Sequence, residues 1–561
     1  MHRRPPTLRL LPLIAAIAVV GGLAADAVQD APRKATYNEL VTLFTGWRVF
    51  EQPALLDGAP DYTPAAMALK GEALPSWQAR LAAIEPSGWP VEQQVDYHLV
   101  RAEMNGLAFR LRVLQPWSRD PAFYASVRTS QSDTPAEEGP TIHQAVRLWK
   151  YSVWPRTALD TPSPLSQDAE KALTAELRTV PPLLEQAQGN LAAANARDLW
   201  VGGIRSFRDQ SAALATLAKR TAGSGTELHQ AIAAAGKATD AFAAWLEREA
   251  PKKTGASGIG REHYTWHLRN VLLVPLSWEE EVTIMRRELA RAHASLRLEE
   301  HRNKDLPPLD PVSNAEEFAR LQDRAIRKYL AFLKERKVIP MRDYLERALR
   351  ERTSAFAPEA TRNFFAQATH REPMTLLTHF YHWWDTAHLE ANPHPSPIRR
   401  AIPLYNIWMS RSEGLATVME EWMVHAGLYD DNPRAREIVW IMLATRAARG
   451  LSSLLAHDNQ VTMEGAGKIH VDWTPRGWMS PDLDLLGIEQ HLYLRQPGYG
   501  ATYVSGGRLL DGLMAERARQ LGGQFSLERF FDEIDNAGQI PVSLLRRQLT
   551  GDEEVGEPGW R

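Results

Sequence analysis

Amphipathic segments with the spacing of an α-helix follow one another along almost the whole chain. In TYNELVTLFTGWRVFE, which begins at Thr36, the apolar residues Leu40, Leu43, Phe44 and Trp47 recur at intervals of three and four residues. This interval places them on one face of a helix. Other segments with a helical pattern are 91–114, 164–192, 196–221, 225–250 and 278–302. The sequence therefore predicts an all-α protein.

The clearest break in this pattern is PKKTGASGIG (Pro251–Gly260), which contains almost nothing to bury. We therefore predict an N-terminal helical lobe over residues 28–260 and a C-terminal helical lobe over residues 261–561, facing each other across a central cleft. Ser313 is expected to cap a later helix, because Glu316 completes a capping box with it. Only Lys468–Trp473 carries an alternation that could form a strand.

The first 27 residues have the composition of a signal peptide. Three arginines precede an apolar run over residues 10–20, and Ala25 and Ala27 are placed for cleavage. The run is shorter than the roughly 20 residues of a spanning helix. We therefore expect no stable membrane span after cleavage, with an uncleaved anchor as the alternative.

The chain contains no cysteine. This excludes a lipid-modified cysteine, a disulfide and a thiolate metal ligand. An exported protein of this kind is held together by its core alone. We expect a periplasmic or secreted location. The net charge of -3 lacks the basic excess with which proteins bind nucleic acid, so nucleic acid is not an expected partner.

Two histidines and a later glutamate, His382, His388 and Glu420, have the order of ligands in helical zinc peptidases. The histidines are six residues apart, which separates them by about 120° on a regular α-helix. They converge only if the helix tightens or breaks between them. In a 3₁₀ stretch, Asp385 would stack between them, either as a ligand or as the partner that orients an imidazole.

Two segments around these residues carry the pattern of a known family. HWWDTAHLEA (His382–Ala391) aligns with His-Glu-x-x-Pro-Gly-His-His-Leu-Gln, and EEWMVHAGLY (Glu420–Tyr429) aligns with Glu-Gly-Trp-Ala-Leu-Tyr. YLRQPGYGATYVSGG (Tyr493–Gly507) and FSLERFFDEIDNAGQIPVSLL (Phe525–Leu545) match two later landmarks. Over residues 260–550 the chain resembles the bacterial family of unknown function numbered 885, whose members look like helical zinc metallopeptidases.

The resemblance implies a large, two-lobed, metallopeptidase-like fold with a zinc ion held by His382, His388 and Glu420. It also places Tyr503 at the family tyrosine, where its hydroxyl would donate to the substrate carbonyl. Arg508 would hold a substrate carboxylate. Tyr493 lies close in sequence to the Pro497–Gly498 turn that precedes Tyr503. A buried tyrosine and an exposed arginine are the alternative interpretation.

The chain also departs from the family pattern. Trp383 stands where the family has its general-base glutamate, and Glu421 stands where it has glycine. An indole cannot accept a proton, and loss of a general base typically costs about 10² to 10⁴ in rate. Asp385 or Glu421 could substitute as the base. Trp383 could also line an aromatic subsite or belong to the core, and Glu421 with His425 could form a surface pair or an alternative metal pair.

Two functional hypotheses follow from these residues. In the first, the protein is an exported, zinc-dependent hydrolase of peptides or small amides, with an activity made doubtful by Trp383. In the second, it is a non-catalytic relative, a pseudoenzyme, that uses the same cleft to bind a peptide or an envelope component. Retention of all three expected metal ligands favours the first hypothesis, and Trp383 favours the second.

Overall fold

The computed structural model describes residues 35–127, 165–400 and 403–551. The predicted signal peptide, residues 1–27, lies outside these ranges. Within them the chain is helical apart from one small antiparallel hairpin, formed by Leu55–Leu56 (β1) and Ala59–Pro60 (β2). The prediction of an all-α fold is confirmed.

Eight α-helices precede the predicted break at residue 251. Their bounds are Tyr37–Glu51 (α1), Pro64–Ala82 (α2), Val91–Phe109 (α3), Pro116–Arg119 (α4), Gln167–Leu177 (α5), Val180–Asn190 (α6), Arg197–Arg220 (α7) and Thr226–Glu249 (α8), within the part of the chain that is described. α3 continues as a π-helix over Arg110–Leu114, so the helix predicted over 91–114 is present. The helix predicted over 164–192 is instead two helices. Pro181 and Pro182 start the second one, because proline fits the first turn of a helix but not its interior.

The remaining helices form the C-terminal half of the described chain. Their bounds are Arg261–Asn270 (α9), Trp278–Arg302 (α10), Ala315–Arg336 (α11), Leu345–Arg350 (α12), Phe364–Thr369 (α13), Met374–Leu377 (α14), Tyr381–Ala391 (α15), Met409–Ala426 (α16), Arg434–His457 (α17), Met463–Trp473 (α18), Asp484–Arg495 (α19), Tyr499–Leu521 (α20), Leu527–Ala537 (α21) and Val542–Thr550 (α22).

Two local predictions in this half are wrong. The N-cap of α11 is Asn314 and not Ser313, because the Asn314 side chain accepts the hydrogen bond from the Glu317 backbone N–H at 2.9 Å. Residues 468–473 are helical within α18 and form no strand.

The predicted linker at 251–260 is attached to the N-terminal half by backbone hydrogen bonds. The Gly255 N–H donates to the Asn195 carbonyl at 2.8 Å, and the Arg197 N–H donates to the Gly255 carbonyl at 3.1 Å. Gly260 adopts the positive φ of 79° from which α9 begins. The division of the chain into two lobes at this point stays a prediction.

Helix α17 is the central element of the C-terminal half and packs against α10, α18 and α20. By length and composition it is the one described helix that could cross a membrane, but 94% of its apolar window is buried inside the protein. A helix buried in a protein core can be as apolar as a helix that spans a membrane. α17 also carries Arg446 and Arg449, which are both about 3% exposed, so the core contains ion pairs as well as apolar contacts.

Helices α16 and α20 cross at two glycines. A Cβ on Gly506 would lie 2.2 Å from the Ser410 carbonyl oxygen, and a Cβ on Gly414 would lie 2.6 Å from the backbone of Gly506. No larger residue fits at this distance without moving a helix. The crossing brings Glu413 on α16 within 3.1 Å of the Tyr499 hydroxyl on α20.

Away from this crossing, α10 buries a carboxyl group completely. The Glu281 side chain accepts hydrogen bonds from the Tyr264 hydroxyl at 3.0 Å and the Ser505 hydroxyl at 2.7 Å. Burial raises the pKa of Glu281 from 4.5 to about 7, although both hydroxyls oppose the rise. Its contribution to stability is therefore fully present below pH 4.5 and is lost as the pH rises through about 7.

We predict that Glu281→Gln weakens this pH dependence. Relative to wild type, the variant should gain about 3 kcal/mol in free energy of unfolding between pH 4.5 and pH 8, because an amide does not ionise. Urea unfolding at several pH values measures the difference. Glu279→Gln, exposed on the same helix, is the matched control and should show no such gain. A parallel pH dependence of wild type and Glu281→Gln would contradict the prediction.

Candidate metal centre

Two histidines and one glutamate converge where α16 passes the start of α15. His379 lies in the 3₁₀ turn Thr378–Phe380, and His382 follows in the first turn of α15. Glu413 comes from α16, which packs against this turn. One ligand atom from each of the three side chains lies within 4.8 Å of the other two. We call these three residues the His-His-Glu group.

The His379 ring contacts two carboxylates of α16. Its Nε2 lies 3.9 Å from Oε2 of Glu413, and its Nδ1 lies 3.1 Å from Oε1 of Glu420. The two glutamates are seven residues apart, almost two full helical turns, and therefore project from the same side of α16. Arg446 also reaches this ring and donates to Nδ1 at 3.2 Å, since a guanidinium has no acceptor.

His382 is oriented by the backbone. Its Nδ1 lies 2.9 Å from the carbonyl oxygen of His379 and donates to it. This hydrogen bond fixes the tautomer and leaves Nε2 with a lone pair. A ring nitrogen held in this way is usual for histidines that bind a metal. His382 is also partly exposed, whereas His379 and Glu413 are buried.

The surroundings keep both imidazoles neutral. Burial lowers the pKa of His379 well below 6.5, and Arg446 and Arg449 lower it further. Burial, and then the neighbouring His379, lower the pKa of His382 in the same direction. Neutral imidazole is the form that coordinates a metal. Burial also raises the pKa of Glu420 to about 7, against the opposing effect of Arg446.

The His-His-Glu group has the donor types that bind zinc. Two histidines and one glutamate form a known catalytic ligand set, with bonds of about 2.0–2.2 Å and a fourth position left open. Tetrahedral ligands with such bonds lie about 3.4 Å apart. The 3.9 Å between His379 and Glu413 would therefore have to close by about half an ångström, and the other two separations, which lie within 4.8 Å, by up to about 1.4 Å. A metal on Nε2 of His379 would also require the proton to move to Nδ1, which here accepts from Arg446 and lies 3.1 Å from Glu420.

The sequence prediction of His382, His388 and Glu420 as ligands agrees with this group only at His382. α15 is a regular α-helix over its full length, so the tightening needed to bring His388 round to His382 does not occur. Nδ1 of His388 lies 2.8 Å from the Tyr344 hydroxyl instead. Glu420 lies beside the group, where its Oε2 accepts from Arg446 at 2.6 Å.

The two residues considered as a substitute base are held in ion pairs. Asp385 is buried against Arg411, and both of its oxygens accept from that guanidinium, one of them at 2.9 Å. Both oxygens of Glu421 accept from Arg291, at 2.6 and 2.7 Å. Burial alone would raise the pKa of Glu421, but the hydrogen bonds from Arg291 lower it. His425 is 3.6 Å from Glu421 and mostly exposed, as in the surface-pair interpretation.

Trp383 lies at the outer edge of the site. Its ring centroid is 4.5 Å from that of His382. The Arg352 guanidinium lies 4.0 Å from the indole centroid, a cation–π contact. The indole is partly exposed, so it covers one side of His382 without belonging to the buried core.

A small cavity of about 10 Å³, with room for about one water molecule, lies beside this region. Its wall includes Glu420 and Tyr503 and, on the solvent side, Glu421 and Arg508. The Tyr503 ring is nearly parallel to the His379 ring, with centroids 6.2 Å apart. Arg508 donates to Glu421 at 3.2 Å. Tyr503 and Arg508 thus line one cavity beside the His-His-Glu group.

Tyr493 does not line this cavity. It is buried on α19, with the Arg449 guanidinium 5.0 Å from its ring centroid. The role in substrate binding predicted for Tyr493 stays a prediction.

His379 and Glu413 were missing from the prediction. The local signal for His379 was its three-residue spacing from His382, which is about one helical turn. The signal for Glu413 was its seven-residue spacing from Glu420. Neither spacing indicates that α16 packs against the Thr378–Phe380 turn and α15, which is what brings the three side chains together.

Solved structures with the same fold include two candidate lipoproteins. A candidate lipoprotein of unknown function from Shewanella oneidensis matches with a TM-score of 0.67 and 14% identity, over 91% of this chain and 99% of that one. A candidate lipoprotein from Colwellia psychrerythraea matches with a TM-score of 0.65 and 14% identity, over 92% and 99%. A search of curated proteins finds no match.

A family model matches residues 46–377, more than half of the chain. The match ends at residue 377, so the segments His382–Ala391 and Glu420–Tyr429 lie beyond it. These are the segments in which the chain departs from the family pattern at Trp383 and Glu421. The chain belongs to the family described as bacterial protein of unknown function, DUF885.

Proposed function

We propose that this protein is a zinc-dependent hydrolase of peptide or related amide bonds, with the metal held by His379, His382 and Glu413. The observation that carries the proposal is the convergence of these ligand atoms to within 4.8 Å of one another. The backbone hydrogen bond of His382 supports it, because metal-binding imidazoles have such a partner on their second nitrogen.

Zinc bound there would supply Lewis acidity to a substrate carbonyl and to water. The residues of the chain provide the remaining parts. In the metal-bound tautomer Nδ1 of His379 would carry the proton, lose its hydrogen bond from Arg446 and donate to Glu420, 3.1 Å away. The Tyr503 hydroxyl is the donor proposed for the developing oxyanion, because its ring lies beside His379 and lines the cavity.

The cavity holds about one water molecule, so we propose that a substrate enters by displacing side chains of its wall. That wall includes Glu420, Tyr503 and the ion pair of Arg508 with Glu421. Both oxygens of Glu421 are engaged by Arg291, so this residue is proposed as a part of the rim and not as the base.

We also propose that the protein is exported, to the periplasm or outside the cell. Two candidate lipoproteins share the fold, which supports a place in the envelope. This chain has no cysteine to carry a lipid, so it would act there without a lipid anchor of that type.

The alternative function is a non-catalytic one, in which the same cavity binds a peptide or an envelope component. One specific observation favours it: Trp383 replaces the family base, and the candidate substitutes Asp385 and Glu421 are both fixed in ion pairs. Metal content separates the two functions.

We predict that purified protein binds about one zinc per chain. His379→Ala and Glu413→Gln should each lower zinc affinity at least about tenfold, because each removes a ligand from the His-His-Glu group. His388→Ala is the matched control, and its zinc content should equal that of wild type, because His388 contacts Tyr344 instead. Metal analysis after dialysis, with circular dichroism to check folding, measures these effects.

Two outcomes would overturn this assignment of ligands. Loss of zinc in His388→Ala but not in His379→Ala would restore the set predicted from the sequence. A wild-type protein that stays free of zinc after saturation and dialysis would leave the binding function as the better proposal.

We predict that Asp385 has a structural role and not that of a base. Asp385→Ala should lower the free energy of unfolding by about 3–5 kcal/mol, because it leaves the Arg411 charge buried without its main partner. Asp532→Ala, which removes a partly exposed pair with Arg342, should cost less than about 1 kcal/mol. Urea unfolding measures both changes. A stable Asp385→Ala protein that has lost all hydrolytic activity would instead identify Asp385 as the base.

A further inference from the structure

Arg449 on α17 is a buried cation that uses only one of its three guanidinium nitrogens among the described residues. The residue is 3% exposed, and its Nη1 donates to Oε1 of Glu489 at 3.0 Å. Its Nε and Nη2 have no hydrogen-bond partner among the described residues. These two nitrogens form one side of the guanidinium, where two parallel N–H groups point the same way.

An unused pair of donors in the interior is costly. A buried polar group without a partner loses the hydrogen bonds it makes to water in the unfolded chain, and the loss is larger for a charged group. The aromatic rings around Arg449 do not meet this need. The guanidinium carbon lies 4.2 Å from the Tyr503 centroid and 5.0 Å from that of Tyr493, but such contacts involve the face of the guanidinium and leave its N–H edge free.

Arg449 is close to the His-His-Glu group. Tyr503 connects the two, because its ring contacts the Arg449 guanidinium and lies parallel to the ring of His379. The charge of Arg449 also acts on His379 and Glu420. A group bound at the Arg449 edge would therefore lie about one side chain away from the candidate metal and from the cavity that Tyr503 lines.

We propose that the Nε and Nη2 edge of Arg449 binds the terminal carboxylate of the substrate, so that the protein acts on peptides with a free C-terminus. The inference rests on the proposed function and specifies its substrate class. A planar carboxylate offers two oxygens at the spacing of this edge, which gives a bidentate, charge-assisted pair. Glu489 pairs with Nη1 and leaves this edge open, and a singly charged carboxylate adds less negative charge to the interior than a doubly charged phosphate would.

Binding to the wild-type protein tests the proposal without any change to the chain. A library of N-acetylated dipeptides with free carboxylates and the same library as C-terminal amides are each equilibrated with the protein, and the retained peptides are quantified by mass spectrometry. We expect the acids to be retained about 10- to 100-fold better than the amides. Equal retention of both libraries, or retention of neither, would overturn the proposal.

Arg449→Lys tests the residue itself, because lysine keeps the charge but lacks the planar pair of donors. The preference for acids should fall at least about tenfold. Arg434→Lys, in an ion pair with Glu437 on the same helix, is the control and should keep the preference. If Arg449→Lys keeps the full preference, another residue binds the carboxylate and the proposal fails.

The two proposals fail in distinguishable ways. A zinc-free protein that still prefers acids would contradict the hydrolase but support the carboxylate site. A zinc-bound protein that cleaves peptide acids and amides at equal rates would support the hydrolase and contradict the role of Arg449.

Discussion

The close approach of α16 and α20 at Gly414 and Gly506 is the constraint on which the rest of the site depends. Because no side chain separates the helices there, Glu413 on α16 meets Tyr499 of α20, and Tyr503 comes beside the His379 ring. The wall of the cavity is formed at the same crossing. A wider separation would remove the cavity wall and move Glu413 away from the α20 tyrosines, although each helix would still form by itself.

The buried charges of this core occur as ion pairs. Each buried arginine of the region has a buried carboxylate as its partner: Arg411 with Asp385, Arg446 with Glu420, and Arg449 with Glu489. Such pairs add little net stability, but removal of one partner is costly. The buried arginines and carboxylates around the His-His-Glu group are therefore already paired with one another. Any further charge near the group would come from a bound ion or ligand.

The helical fold could be predicted from the sequence, because most of the helices have one apolar face and one polar face. The helix Trp278–Arg302 has the predicted bounds. The candidate site was harder to predict from the sequence. The six-residue step from His382 to His388 directed attention to one helix, whereas His379 and Glu413 meet through contacts between segments. Likewise, Asp385 looks like a free acid in the sequence, and its partner Arg411 lies 26 residues further along the chain. Patterns of local spacing do not contain such pairings.

The paired charges also have a consequence for how sequences of this fold can diverge. A substitution of Arg411 or Asp385 alone leaves an uncompensated charge in the interior, whereas simultaneous replacement of both by apolar residues need cost nothing. The two residues of such a pair are therefore expected to change together, either by two substitutions at once or through single variants of lower fitness. Neutral evolution around the site would then proceed more slowly than on the surface, whatever the function of the site.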